Sequence, residues 1–129
     1  MFPTSSQSLP LASSLVNETL LIQVPARLSV IEAPSFRNHF QELLQKEATL
    51  TKVILDFSQT TLIDSSGIGA LLASLKMAQQ RDIKVAVCSL NLQVQFTFSL
   101  TGLDQLFELE PNNSLAQDKI QSLPANIVD

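Results

Sequence analysis

The sequence predicts a single α/β domain built around a mixed β-sheet, and three segments carry that prediction. A buried strand is indicated by the apolar run Val53-Ile54-Leu55-Asp56-Phe57. Beyond Gly67 the apolar side chains take the spacing of a helix with one buried face: Ile68, Leu71, Leu72 and Leu75. Residues 83–89 form another strand-like segment. A strand, a helix and a strand within about 37 residues predict a right-handed crossover between parallel strands.

The first third of the chain is predicted to contain an extension, two strands and a helix. Residues 1–17 are rich in serine and proline, so we expect an N-terminal extension that is partly flexible. Residues 19–24 and 27–30 have strand composition and are separated by Pro25, which favours an antiparallel pair at an edge of the sheet. A helix is expected to open at residues 33–35, with one apolar face: Phe36, Phe40, Leu43 and Leu44.

The last third is predicted to add a helix, a strand and a weaker helix. Asn91 can cap a helix over residues 92–100 that ends near Gly102. We expect one side of this helix to carry Leu92, Phe96, Ser99 and Leu100. Residues 106–109 have the composition of a short final strand, and residues 114–123 have weak helical spacing.

Composition limits the classes of protein to which the chain can belong. With 129 residues and a net charge of −4, it has the length of one domain and lacks a basic patch for nucleic acid. It has no apolar run of the roughly 20 residues that cross a bilayer, so we expect no membrane partner. The single cysteine excludes an internal disulfide and fits a reducing compartment, and we therefore expect a cytoplasmic protein.

The residue types argue against an enzyme. A nucleophilic serine or cysteine needs an oriented base, and the only histidine, His39, lies far from Ser65 in the chain. One histidine and one cysteine do not make a metal cluster. Gly67 and Gly69 lack the third glycine and the lysine of a phosphate-binding loop. We therefore expect no catalysis, no metal and no cofactor, and we expect Cys88 to be a small buried hydrophobe.

The start of the central helix suits a different chemistry, in which a serine is the substrate of another enzyme. Asp64 or Ser65 can be the N-cap, and the residue types leave this open. The free N–H groups and the positive dipole at a helix start tolerate a phosphate on Ser65, whose charge would act on a docked partner. The alternatives are structural: Ser65 and Ser66 as plain capping residues, and Asp56 as the polar tip of its strand.

Several segments in order resemble the STAS domain family, which contains the anti-sigma factor antagonists. Asp64-Ser65-Ser66-Gly67 resembles the Asp-Ser-Ser-Gly signature of that family. The flanking residues 53–57 and 68–72 are similar to its strand and helix, as are residues 85–88 and 100–107 to its later segments. The resemblance implies a single STAS domain over residues 18–129, with a mixed sheet of four to five strands and helices mainly on one face.

The resemblance also implies a function. In STAS antagonists the first serine of the signature is phosphorylated by a GHKL-type serine kinase that is also an anti-sigma factor. The unphosphorylated antagonist binds that kinase and frees the sigma factor, and a PP2C-type phosphatase restores it. Carried onto this chain, Ser65 is the phosphoacceptor, and the partner-binding residues are Asp64, Ser65, Ser66 and Gly67.

The implied protein is thus a bacterial, cytoplasmic phosphoprotein that acts by partner switching in signal transduction and transcription regulation. Whether the protein forms a homodimer is left open. The alternative is a STAS module that is never phosphorylated and instead binds a small molecule or acts as a scaffold in a signalling or transport assembly. The late segment 93–97 lacks the basic residues often seen in relatives, which leaves the identity of the partner open.

Overall fold

The computed structural model describes residues 11–110, which form an α/β domain. Strands within this part of the chain are β1 (Ser13–Val16), β2 (Thr19–Gln23), β3 (Arg27–Leu28), β4 (Lys52–Asp56), β5 (Leu62–Ile63), β6 (Lys84–Cys88) and β7 (Glu108–Leu109). The helices are α1 (Ala33–Lys46), α2 (Ser65–Gln79) and α3 (Leu92–Thr101), followed by a 3-10 turn (Leu103–Gln105).

The strands of the described residues form two sheets. The larger has five strands in the order β1-β2-β4-β6-β7, in which only the β1–β2 pair is antiparallel. The smaller contains β3 and β5, which pair in parallel. The predicted α/β class and mixed sheet are confirmed, and the crossover β4-α2-β6 joins parallel neighbours as expected.

All three described helices contribute to one hydrophobic core on one face of the large sheet. Side chains alternate along each strand. The residues that face the helices are Leu20, Ile22, Val53, Leu55, Val85 and Val87. A separate cluster on the opposite face contains Leu21, Ile54, Ala86 and Cys88. The prediction that helices pack mainly on one face is therefore confirmed.

The predicted pairing of the first strands is wrong. Strand β2 pairs with β1, through a two-residue loop at Asn17 and Glu18 in which Asn17 has a φ of 57°. Strand β3 pairs instead with β5, 35 positions later in the chain. Residues 13–16, which were expected to lie in the extension, thus form one of the two edge strands of the five-stranded sheet. Half of their side chains are exposed, so they lack the apolar pattern of an inner strand. The predicted C-terminal helix at 114–123 lies outside the described residues.

The apolar face of α3 was also assigned to the wrong side. Val94 and Phe98 are buried, whereas Leu92, Phe96 and Leu100 are 82%, 65% and 70% exposed. Because α3 has apolar residues on both sides and no charged residue, its periodicity could not select the buried face. The helix ends as predicted at Gly102, which has a φ of 79°.

Helix α2 offers a paired test of its orientation. Leu71 is fully buried, whereas Leu72, which was expected on the buried face, is 39% exposed. We expect Leu71→Ala to lower the free energy of unfolding by about 2–5 kcal/mol because it leaves a cavity. Leu72→Ala should lower it by less than about 1 kcal/mol. Urea denaturation followed by circular dichroism measures both, and equal losses would contradict this orientation.

Candidate functional site

Asp64 is the N-cap of α2, which resolves the choice between Asp64 and Ser65. Its Oδ1 accepts a hydrogen bond from the backbone N–H of Gly67 at 3.0 Å, and its Oδ2 accepts one from the N–H of Val30 at 3.1 Å. Its own N–H donates to the carbonyl of Leu28 at 3.3 Å. The half-buried carboxylate therefore fastens the start of α2 to the segment that follows β3.

Ser65 is the first residue of α2 and is exposed, while Ser66 is half-buried. Neither the N–H groups nor the hydroxyls of these two serines make a hydrogen bond within residues 11–110. The first intrahelical bond runs from the N–H of Ile68 to the carbonyl of Asp64. The Ser65 hydroxyl thus stands at the positive end of a 15-residue helix, beside two unused backbone donors.

Gly67 allows the start of α2 to lie directly against β3. A Cβ atom at this position would be 2.0 Å from the carbonyl oxygen of Leu28 and 3.0 Å from Cγ2 of Ile63. Real side chains do not tolerate a contact this short with backbone. Gly67 is buried and fixes the approach of helix to strand, while the exposed hydroxyl of Ser65 lies on the outside of the same turn.

The surface around Ser65 exposes large apolar side chains. Val30 and Ile31 extend from the segment that Asp64 fastens to α2, and both are well exposed. Along α2 the first two exposed positions after Ser65 are Gly69 and Leu72. An exposed apolar pair beside the start of α2 offers a surface suited to a protein partner.

The loop before the site is held by side-chain hydrogen bonds. The buried hydroxyl of Thr60 donates to the carbonyls of Val24 and Pro25 at 3.2 Å and 2.9 Å. The Asn91 side chain caps α3, as predicted, and donates to the carbonyl of Thr60 at 2.8 Å. These hydrogen bonds join the loop before the site to the segment between β2 and β3 and to the start of α3.

Other groups singled out in the sequence lie away from this surface and have structural partners. Asp56 is buried and its Oδ1 accepts a hydrogen bond from the N–H of Ser58 at 2.8 Å, as expected of a strand tip. His39 lies half-buried on α1, with Nδ1 at 3.4 Å from the hydroxyl of Ser35. Cys88 is fully buried as predicted, and burial raises the pKa of its thiol to about 11.

The four predicted site residues lie together at the start of α2, but the contacts that hold them there were not predicted. The bond between Asp64 and Val30 joins positions 34 apart, and the β3–β5 pair was not predicted at all. No local pattern in the sequence connects Val30 to Asp64, so the sequence offered no signal for this contact. Among residues 11–110 no helix is both long and apolar enough to span a bilayer.

An α/β domain with a mixed sheet that exposes a serine at a capped helix start, beside exposed apolar side chains, has the character of a protein-interaction module. The profile of the STAS domain family matches residues 13–116, which is most of the chain. The chain therefore belongs to the STAS domain family.

The relatives agree with this assignment. The chain is 24% identical over 105 residues to the anti-sigma F factor antagonist of Paenibacillus polymyxa. The aligned region covers 80% of this chain and 89% of the relative. A STAS domain protein of Planctomyces limnophilus shares the fold with a TM-score of 0.70 and 18% identity, covering 89% of this chain and 98% of its own.

A third relative has been solved in two chemical states. The Bacillus protein SpoIIAA in its phosphorylated form shares the fold with a TM-score of 0.64, 16% identity and coverage of 88% and 99% of the two chains. Unphosphorylated SpoIIAA, an anti-sigma factor antagonist, gives a TM-score of 0.62 at the same identity and coverage.

Proposed function

We propose that this protein is an anti-sigma factor antagonist switched by phosphorylation of Ser65. In its unphosphorylated form it binds a GHKL-type serine kinase that is also an anti-sigma factor, and a PP2C-type phosphatase restores that form. The observation that carries the proposal is the exposed Ser65 hydroxyl at the start of α2, beside backbone donors with no partner in the described part of the chain.

The geometry of the helix start supports phosphorylation without refolding. A phosphoserine brings about −1.5 to −2 charges at neutral pH. The dipole of α2 and the free N–H groups of Ser65 and Ser66 favour an anion at this position. The nearby negative charge of Asp64 is already solvated by the N–H groups of Gly67 and Val30, which limits its repulsion of the phosphate.

The same phosphate would oppose docking. The surroundings of Ser65 expose Val30, Ile31 and Leu72, and a partner that covers them excludes water from the serine. A doubly charged group buried there without a cation to pair with it carries a large desolvation cost. Phosphorylation is thus expected to release the partner through charge at the interface.

Each of the four proposed site residues has a distinct part. Ser65 accepts the phosphate and touches the partner. Ser66, half-buried beside it, offers a second hydroxyl to the partner. Asp64 and Gly67 shape the docking surface, since one fastens the Val30 segment to α2 and the other allows α2 to lie against β3. We place the protein in the bacterial cytoplasm, in a pathway that regulates transcription.

The test is phosphate transfer and binding with purified proteins. The antagonist is incubated with a purified GHKL-type anti-sigma serine kinase from the same genome, with and without ATP. Mass spectrometry is expected to find one added phosphate, on Ser65, and the complex formed without ATP should dissociate after transfer. Stable binding without transfer would favour the unphosphorylated STAS scaffold. A phosphate on Ser66 would refute the assignment of the phosphoacceptor.

A further inference from the structure

The glycines of this chain stand at three positions, and only two of them are explained by the fold. Gly102 ends α3 with a φ of 79°, a conformation that favours glycine. Gly67 is required because any side chain would collide with the carbonyl of Leu28. At Gly69 a Cβ atom would have no neighbour within 4 Å among residues 11–110, and its backbone is helical. Within the described part of the chain, neither packing nor backbone geometry requires a glycine there.

A glycine at this place weakens the helix. In a helix interior, glycine is less favourable than alanine by about 0.5–1 kcal/mol, because it loses more backbone freedom on folding. Gly69 lies in the second turn of α2, is exposed, and has no described side chain against it. The glycine therefore lowers stability and makes no compensating contact with residues 11–110, so we look for its role in contacts with another molecule.

The position of Gly69 points to the partner. One helical turn separates it from Ser65, about 6 Å along the axis. Leu72 follows on the same exposed face, and Ile31 is exposed on the neighbouring segment. Gly69 therefore exposes backbone without a side chain, between the proposed phosphoacceptor Ser65 and the exposed Leu72.

We infer that Gly69 is the point of closest approach between α2 and the partner. This inference rests on the proposed function and identifies the occupant as the same anti-sigma serine kinase. The partner's chain packs against the bare backbone at Gly69, which brings its active site within reach of the Ser65 hydroxyl. A methyl group at position 69 holds the partner away from both Leu72 and Ser65. Gly69 is therefore a specificity-determining residue of the docking surface, and it takes no part in the chemistry.

The test compares Gly69→Ala with the unchanged protein and with Lys76→Ala, an exposed control about 10 Å further along α2. Titration calorimetry without ATP measures affinity for a purified GHKL-type anti-sigma serine kinase from the same genome, and single-turnover assays with ATP measure phosphate transfer. We expect Gly69→Ala to keep or raise the melting temperature while lowering affinity at least tenfold, with slower transfer. Gly69→Leu should lower affinity further, and Lys76→Ala should match the unchanged protein.

The possible outcomes separate this inference from the proposed function. If the unchanged protein binds and Gly69→Ala binds within twofold of it, the inference is overturned and the proposed function stands. A lower melting temperature for Gly69→Ala would overturn it as well, since the glycine would then have an internal role. If the unchanged protein neither binds nor accepts phosphate, both the proposed function and the inference fail.

Discussion

Replacing Ser65 with aspartate is expected to weaken binding of the anti-sigma serine kinase by about 100-fold, or about 3 kcal/mol. A partner that covers the exposed apolar side chains of Val30, Ile31 and Leu72 would strip water from the carboxylate, which carries a desolvation cost. The fold itself should be almost unaffected. An acid in the first turn of a helix is favourable by about 0.3–1 kcal/mol, and the free N–H groups at this helix start can solvate it.

Three measurements separate this effect from loss of structure. Thermal unfolding should give Ser65→Asp a melting temperature equal to or above that of the unchanged protein. Ser65→Ala should bind the kinase persistently, because it cannot be switched off. Ser66→Asp places the same charge one residue later, where the side chain is half-buried, and should affect binding less. Equal kinase affinity for Ser65→Asp and the unchanged protein would contradict the switch mechanism.

Replacing Gly67 with alanine is expected to cause the largest loss of stability, more than about 4 kcal/mol. The new Cβ would lie 2.0 Å from the Leu28 carbonyl oxygen, which already accepts a hydrogen bond from Asp64. The oxygen belongs to the backbone and the backbone fixes the position of Cβ, so no rotamer change relieves the contact. The start of α2 would have to move away from β3 and break the Asp64 bonds. Since domains are stable by only about 5–15 kcal/mol, a large fraction of the variant is expected to be unfolded.

Gly69→Ala is the matched control for this measurement, because it makes the same substitution two residues later in the same helix. It should be as stable as the unchanged protein or more so. The chain contains neither tryptophan nor tyrosine, so circular dichroism is the appropriate probe of chemical denaturation. A Gly67→Ala midpoint equal to that of Gly69→Ala would show that the helix start can move without loss.

The parts of the fold that could be predicted depend on local pattern. The crossover β4-α2-β6 was found because an apolar run, a helical stripe and another apolar run follow each other in sequence. The signature at Asp64 marks a helix start through capping chemistry, which is confined to a few residues. The Asn91 cap and the Gly102 end of α3 were recognised for the same reason.

The features that could not be predicted depend on contacts between residues that are far apart in the sequence. Both β1 and β3 are next to β2 in the sequence, and composition does not say which of them pairs with β2. The Asp64 carboxylate was recognised as a candidate cap, but its second bond goes to Val30, which no local rule connects to it. In α3, apolar residues on both sides left the buried face to be chosen by packing on Phe57 and Phe107. The open space at Gly69 becomes visible only once its neighbours are placed.

The fastening of α2 to the segment after β3 affects how quickly such a switch can respond. The bonds from Asp64 to Val30 and Gly67 order the backbone around Ser65 before any partner arrives. Association then requires little loss of conformational entropy and no coupled folding, which favours a near rigid-body encounter. Both states of the switch would share one backbone and differ in surface charge. Its response time is therefore expected to follow kinase turnover, phosphatase turnover and complex dissociation, with no slow refolding step between them.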